Sequence, residues 1–217
     1  MSEIFSQMNK LINTNWDSTL KHFQNEYIDA EQKARCVYFI SNEVEKMTSN
    51  EYLATIVKEV FIDLTNAIFL SVQSHYRTAF LSLRSSLELT LVTVYFADHP
   101  IEFAKWRADT KDFQFSNTLL EVLSKDYVEI INPPVEPKLK EVQSLYRDLS
   151  QYVHGKFNYL SVNKEKVSQF DKDQVERFLE QFEKTVNIIV NFFRFRFNDE
   201  VLIASKNYGF LRGLIGE

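Results

Sequence analysis

The chain has 217 residues, of which 45% are hydrophobic, and a formal net charge of −5. It contains only 4 glycines and 4 prolines, the residues that turns between β-strands favour, so the composition argues against a β-rich fold. The hydrophobic content, with 19 Phe and 10 Tyr, excludes a disordered chain and predicts an aromatic-rich core. The single cysteine, Cys36, excludes an intramolecular disulfide and a cysteine-based zinc site, and we expect it to be a core residue.

The sequence predicts no targeting or membrane segment. It starts MSEIFSQMNK, without the basic residues and continuous apolar run of a signal peptide. The longest apolar stretch, Leu87 to Ala97, is shorter than the roughly 20 residues that a membrane-spanning helix needs. We therefore expect a cytoplasmic protein with no membrane partner. The acidic net charge argues against a protein that binds nucleic acid over its whole surface, although it is compatible with a local basic groove.

Apolar residues recur at helical spacing along most of the chain, so the predicted fold is a single all-α domain, 1–217, built as a helical bundle. The predicted helices, in chain order, cover about residues 2–45, 49–68, 74–97, 101–108, 116–124, 137–154, 171–197 and 199–214. Asn13 to Trp16 would interrupt the first helix, and Gly155 would end the sixth before a loop of about fifteen residues. The helix at 74–97 is apolar nearly all round, which is typical of the central helix of a bundle.

Two basic side chains share one face of the predicted helix at 137–154. Arg147 and His154 are seven residues apart, which places them about 20° apart around the helix axis and about 10 Å apart along it. Ser150 and Gln151 lie between them on the same face, and the apolar residues of the helix point the other way. From the spacing alone, His154 is also explained as a cation at a helix C-terminus, where the helix dipole favours positive charge.

An arginine beside a histidine suits phosphate-ester chemistry. A guanidinium binds phosphate oxygens bidentately and stabilises negative charge in a transition state. An imidazole exchanges a proton near neutral pH. RNA supplies its own nucleophile, the 2′-hydroxyl, so the predicted site needs no metal and no cofactor.

The same helix carries a family resemblance. Arg147, Asp148, five further residues and His154 resemble the motif of the HEPN superfamily, in which an arginine and a polar residue precede a histidine by four to six positions. The longer string YRDLSQYVHG, preceded by AFLSLRSSLE from Ala79 to Glu88, is similar to HEPN-related bacterial proteins. The superfamily comprises helical bundles that are common in bacterial toxin, antitoxin and phage-defence systems.

The resemblance covers about Tyr52 to Phe197. It implies a HEPN-like core of four to five helices at about 50–197. An N-terminal helical extension, 1–48, and a C-terminal helix, 199–214, lie outside that core.

The resemblance also implies a function, which is RNA cleavage at a cleft between the two subunits of a homodimer. Arg147 would bind the scissile phosphate, His154 would be the general acid or base, and Asp148 would orient one of them. The residues expected to support the site or bind substrate are Ser150, Gln151, Tyr146, Arg84 and Glu88. An antitoxin or regulatory protein would be a further partner. The alternative is a catalytically inactive module that binds a protein or a nucleotide, because the carboxylate of Asp148 would repel phosphate.

Charged residues also occur in the apolar helix at 74–97, namely Arg77, Arg84 and Glu88. Arg84 and Glu88 are four residues apart, so one explanation is an ion pair within the helix. A buried charge must find a partner, however, and this helix has little exposed face. We therefore hypothesise that Glu88 or Arg84 reaches the helix at 137–154 and holds Arg147 or His154 in place.

The remaining basic and aromatic residues favour structural roles. His22, His75 and His99 have no metal-ligand spacing, so we expect surface or capping positions. Arg194 and Arg196 alternate with Phe193, Phe195 and Phe197. Such a run can stack on bases, but it is more typical of the end of a core helix whose arginines extend to the surface. The apolar C-terminal residues are interpreted as a packing or dimer element.

Overall fold

The fold consists of helices over the described residues. The computed structural model describes residues 3–47, 51–154 and 168–216, with only the backbone of Met47 and Glu51. In these ranges the helices are α1 (Glu3–Met47), α2 (Glu51–Val72), α3 (Tyr76–Asp98), α4 (Pro100–Arg107), α5 (Phe115–Val122), α6 (Lys125–Ile131), α7 (Leu139–Val153), α8 (Lys172–Arg196), α9 (Asn198–Asn207) and α10 (Gly209–Ile215). No β-strand occurs in the same ranges, so the predicted all-α bundle is confirmed. Gly155 and most of the predicted loop after it lie outside them.

The central element is α3, as its apolar sequence predicts. It packs against α2, α7 and α8, and it also contacts α4 and α5. Helix α1 packs on α2, α8 and α9 and closes the core on the other side. The buried residues form one cluster that extends from Phe23 in α1 to Ile215 in α10.

By length and composition, α3 would also be able to cross a membrane. Its apolar window is therefore longer than the predicted stretch Leu87 to Ala97, but 67% of that window is buried inside the protein. Apolar helices that are hydrophobic all round also form the core of soluble bundles. The burial of α3 is thus compatible with a soluble protein.

The core is rich in aromatic residues, as predicted. The ring of Phe178 lies 6.3 Å from that of Tyr27, 6.0 Å from that of Phe80 and 5.8 Å from that of Phe182. Cys36 is fully buried, and burial raises the pKa of its thiol to about 12. Its predicted role as a core residue is confirmed.

The break in α1 is at Phe23, where φ is −135° and ψ is 23°, and the predicted break at Asn13 to Trp16 is wrong. Asn15 does not cap a helix, because its side chain points into the protein. Its amide nitrogen donates to the carbonyls of Gln73 and Ser168 at 3.2 and 3.1 Å, and its side-chain oxygen accepts from the N–H of Phe170 at 3.1 Å. Asparagine commonly caps helices, but Asn15 instead makes buried hydrogen bonds between segments that are distant in sequence.

Two further boundaries differ from the prediction. Helix α6 was not expected, although Ser124 caps it by accepting a hydrogen bond from the N–H of Tyr127. The predicted final helix is divided into α9 and α10 at Tyr208, whose backbone is extended. The ring of Tyr208 stacks on Phe39 of α1 with centroids 4.7 Å apart, so packing against α1 competes with helix continuation there.

The Asp98 cluster (Asp98, Tyr127 and Arg196) ties the ends of α3 and α8 to α6. Arg196 donates to both carboxylate oxygens of Asp98, at 2.8 and 2.6 Å, and the Tyr127 hydroxyl donates to one of them at 2.7 Å. Nearby, Arg194 donates to the carbonyl of Ile215 at 3.1 Å. Arg194 and Arg196 are half-buried at the end of the core helix α8, as the sequence predicted. Burial acts to raise the pKa of Asp98, but the hydrogen bonds from Arg196 and Tyr127 outweigh it and lower that pKa.

We predict that Asp98→Asn lowers the free energy of unfolding by about 1 to 3 kcal/mol at neutral pH, since it removes charge-assisted hydrogen bonds. A carboxyl whose pKa is lowered by folding stabilises the protein above its ordinary pKa of about 4 and loses that contribution as the pH falls through the folded value. The difference between the wild type and Asp98→Asn in urea unfolding should therefore shrink as the pH is lowered from about 5 to about 2. Asp17→Asn, at an exposed position of α1, is the matched control. A difference that stays constant with pH would contradict the role of the Asp98 charge.

Candidate functional site

Helix α7 presents one apolar face to the bundle and one polar face to solvent. Its buried residues are Val142, Leu145, Leu149 and Tyr152, which recur at three and four positions. Arg147 and His154 are both exposed on the opposite face. His154 is the C-cap residue, and its N–H donates to the carbonyl of Ser150 at 3.0 Å, so helical geometry extends over the whole motif.

Arg147 extends into solvent and is weakly held. Its side chain is 71% exposed. One terminal nitrogen donates to the Ser144 hydroxyl at 3.2 Å, and Nε lies 3.9 Å from a carboxylate oxygen of Asp148, beyond hydrogen-bond distance. The guanidinium therefore has donors available for an external anion.

The end of α7 beside His154 is anchored by Arg77 of α3. The guanidinium of Arg77 donates to the carbonyls of Tyr152 and Val153 at 3.1 and 2.9 Å. Helix ends leave such carbonyls without intrahelical partners, and a basic side chain satisfies them. Arg77 was expected only as a charge in an apolar helix, without this role. The preference of arginine for helix C-termini is the signal that could have suggested it.

Ser150, Gln151 and Asp148 have different surroundings within the motif. The Ser150 hydroxyl donates to the carbonyl of Tyr146 at 2.7 Å, so its hydrogen is engaged within the helix. Gln151 is half-buried between the two basic residues. Asp148 is partly exposed and faces α8 rather than the stripe that joins Arg147 to His154.

Tyr146 makes a second polar contact between α7 and α3. Its hydroxyl donates to Glu88 at 2.7 Å and accepts from Arg84 at 2.8 Å, while Arg84 and Glu88 are themselves 3.0 Å apart. The ring stacks on Phe115 of α5 with centroids 3.8 Å apart. Burial, and then the hydrogen bond to Glu88, raise the pKa of Tyr146.

These contacts correct one hypothesis. Arg84 and Glu88 do reach α7, but they bind Tyr146 rather than Arg147 or His154. Consecutive helix residues point about 100° apart, so side chains of α3 that meet Tyr146 cannot also meet the face of Arg147. The predicted ion pair within α3 is present, and it is part of this contact.

A groove of about 470 Å³ runs between α7 and α8 beside Asp148. The α7/α8 groove is lined by Glu141, Ser144, Leu145, Asp148, Gln181, Lys184, Asn187, Ile188 and Asn191. The side-chain oxygen of Gln181 is buried and has no hydrogen-bond partner among the described residues. The α8 residues of this groove were not predicted, because polar residues at helical spacing look like an ordinary solvated face.

The other histidines lie at structural positions. His22 stacks on Phe170 with centroids 5.6 Å apart, and the ring of His99 stacks on Tyr95 with centroids 4.0 Å apart. His75 is the exposed N-cap residue of α3. In the part of the chain that the structure describes, no group of three or more His, Cys, Asp or Glu side chains is placed to hold a metal ion.

Comparison of the chain with protein-family models, curated proteins and solved structures gives no match. The geometry of α7 and its neighbours is therefore the basis for inferring a function.

The contacts of Glu88 predict how substitutions combine. In a double-mutant cycle, Glu88→Ala and Tyr146→Phe should couple by about 1 kcal/mol, because they remove one shared hydrogen bond while the aromatic stacking on Phe115 remains. Glu88→Ala and Arg147→Ala should be additive within about 0.5 kcal/mol, because Glu88 contacts Tyr146 and not Arg147, which is exposed. Urea unfolding followed by circular dichroism measures both cycles. Coupling between Glu88 and Arg147 would contradict the separation of the Tyr146 contact from the exposed Arg147.

Proposed function

We propose that this chain is a metal-independent endoribonuclease of the HEPN type that acts as a homodimer. One observation carries the proposal. Arg147 and His154 are both exposed on one face of α7, while the body of that helix is held rigidly by Tyr146 and Arg77. A guanidinium and an imidazole on one anchored helix, open to a phosphodiester, are the groups that metal-free RNA cleavage requires.

The proposed reaction uses the 2′-hydroxyl of RNA as the nucleophile. The 2′ oxygen attacks phosphorus and the bond to the 5′ oxygen breaks, leaving a 2′,3′-cyclic phosphate and a 5′-hydroxyl. Arg147 binds the non-bridging oxygens, where negative charge builds up. His154 transfers a proton, either from the 2′-hydroxyl or to the departing 5′ oxygen.

A dimer supplies what one subunit lacks. One imidazole cannot be base and acid in the same step, and α7 offers only His154 at the motif. A second copy of the chain, facing the first across the phosphate, brings a second imidazole and a second guanidinium. A homodimer with the active site at the subunit boundary therefore fits the chemistry.

The α7/α8 groove fits the path of a flanking RNA strand. Lys184, whose ammonium also pairs with Glu180, lies in this groove. Gln181, Asn187 and Asn191 supply amides that can bind base edges or sugar hydroxyls. Asp148 would orient Arg147 by charge attraction alone, since its carboxylate lies 3.9 Å from Nε of Arg147. By resemblance, the biological setting would be a cytoplasmic toxin or phage-defence effector controlled by an antitoxin or regulatory protein.

We predict that His154→Ala and Arg147→Ala each lower the rate of RNA cleavage by at least about 100-fold without altering thermal unfolding, because both side chains are exposed. Induction of the wild type in a bacterial host should slow growth and degrade RNA, and the two variants should not. The matched controls are His75→Ala, an exposed histidine at a helix end, and Arg35→Ala, an exposed arginine paired with Glu31. Equal growth and intact RNA for wild type and variants would remove the ribonuclease proposal.

Cleavage should continue at full rate in EDTA and should stop when the 2′-hydroxyl at the scissile position is replaced by hydrogen. The reason is that the nucleophile belongs to the substrate and the charge stabilisation to Arg147. Gel analysis of a labelled RNA that carries a single 2′-deoxy position measures both effects. Loss of cleavage on chelation, with recovery on adding a divalent metal, would contradict the mechanism.

A second function is favoured by the carboxylates of Glu141 and Asp148, which line the α7/α8 groove. They make this surface less attractive to a phosphate chain and more suitable for a basic protein segment. The chain would then be a catalytically inactive HEPN-like module that binds a protein partner. This function would be supported over the first by two results together. RNA would stay intact in the induction experiment, and binding of a basic protein segment would be lost in Asp148→Lys.

A further inference from the structure

A second cavity lies at the other end of α3, and none of its residues belongs to α7. It has a volume of about 380 Å³ and is enclosed by α3, α4, α5 and the segment that joins α4 to α5. Its lining includes the aromatic residues Tyr95, Phe96, Trp106 and Phe113. That volume is in the range of small-molecule sites.

One wall of the cavity is aromatic. The ring of Phe96 lies 5.4 Å from that of Trp106 and 6.2 Å from that of Phe113. Tyr95 and Phe96 are buried, whereas Trp106 is half-buried and closes the side of the cavity. Aromatic faces carry partial negative charge, so they attract cations as well as apolar groups.

The rim of the cavity is acidic. Glu102, Asp112 and Glu121 line it, and Lys111 is the one basic residue among the lining residues. Glu102 is already paired, since Lys111 and Lys105 donate to it at 2.5 and 2.9 Å, and these hydrogen bonds lower its pKa to about 2. Asp112 has no ion pair with a described basic residue, and Glu121 lies 3.6 Å from a ring nitrogen of His99. The lining therefore carries excess negative charge.

We propose that this cavity binds a small organic cation, with an ammonium or amidinium group on an apolar body. The apolar body would pack against Phe96 and Trp106, and the charged group would lie near Glu121 and Asp112. Aromatic faces and carboxylates favour the same sign of charge, so the two parts of the site act together. A phosphate-bearing ligand is disfavoured by the same carboxylates. The site is independent of the ribonuclease proposal, since the two share no residue.

The two tryptophans of the chain permit a direct test. Trp16→Phe leaves Trp106 as the single tryptophan, and a phenyl ring preserves the aromatic contact that residue 16 makes with Phe69. The probes are benzamidine, which is cationic at neutral pH, its neutral relative benzamide and its anionic relative benzoate. Benzamidine should change the Trp106 fluorescence saturably with a Kd of about 1 mM or tighter, and the other two should bind at least about tenfold more weakly.

Charge variants locate the binding. Glu121→Gln and Asp112→Asn should each weaken benzamidine binding about fivefold, the effect of losing one partly exposed charge pair. Glu176→Gln, an exposed carboxylate on α8 that pairs with Lys172, is the matched control and should leave the affinity unchanged. Circular dichroism melting curves establish that all variants are folded. The proposal is overturned if benzamide binds as tightly as benzamidine, if no saturation occurs up to about 10 mM, or if neither cavity variant changes the affinity.

Discussion

The burial of α3 is the constraint on which the rest of the structure depends. Its charged residues lie outside its apolar core face, with Arg84 and Glu88 half-buried and Arg77 and Asp98 at the surface. Each of them has a hydrogen-bond partner that is also charged or polar. The partners are groups on neighbouring helices. Arg77 binds the last carbonyls of α7, Arg84 and Glu88 bind Tyr146, and Asp98 binds Arg196 of α8. The few polar side chains of an apolar helix thus orient the helices around it, including the one that carries the candidate site.

Much of this architecture follows from periodicity. The spacing of apolar residues predicted the central position of α3, and the inward face of α7 with Leu145 and Leu149 buried. What periodicity cannot supply is the identity of a partner across helices. Glu88 or Arg84 was expected to hold Arg147 or His154. Both bind Tyr146 instead, because the outcome depends on how α3 and α7 are rotated against each other. The break at Phe23 and the separation of α9 from α10 also depend on tertiary packing, as shown by the stacking of Tyr208 on Phe39.

The candidate sites differ in how far a sequence can reveal them. Arg147 and His154 belong to one short motif on one helix, so their common face follows from helical geometry. The α7/α8 groove and the aromatic cavity join residues that are far apart in sequence or lie in irregular segments. In the sequence, Gln181 and Lys184 look like ordinary polar residues of a solvated helix face. Trp106 and Phe113 lie in the part of the chain with the least regular helical spacing. Such sites become visible only when the packing of several helices is known.

The position of Asn15 has a consequence for how the chain assembles. Its hydrogen-bond partners lie 58, 153 and 155 residues further along the chain. During synthesis, two of these partners do not exist until most of the polypeptide has emerged from the ribosome. Docking Asn15 before then would bury an unsatisfied amide at a cost of about 1 to 3 kcal/mol. The segment of α1 that precedes the bend at Phe23 is therefore among the first parts to be made and among the last to find its place.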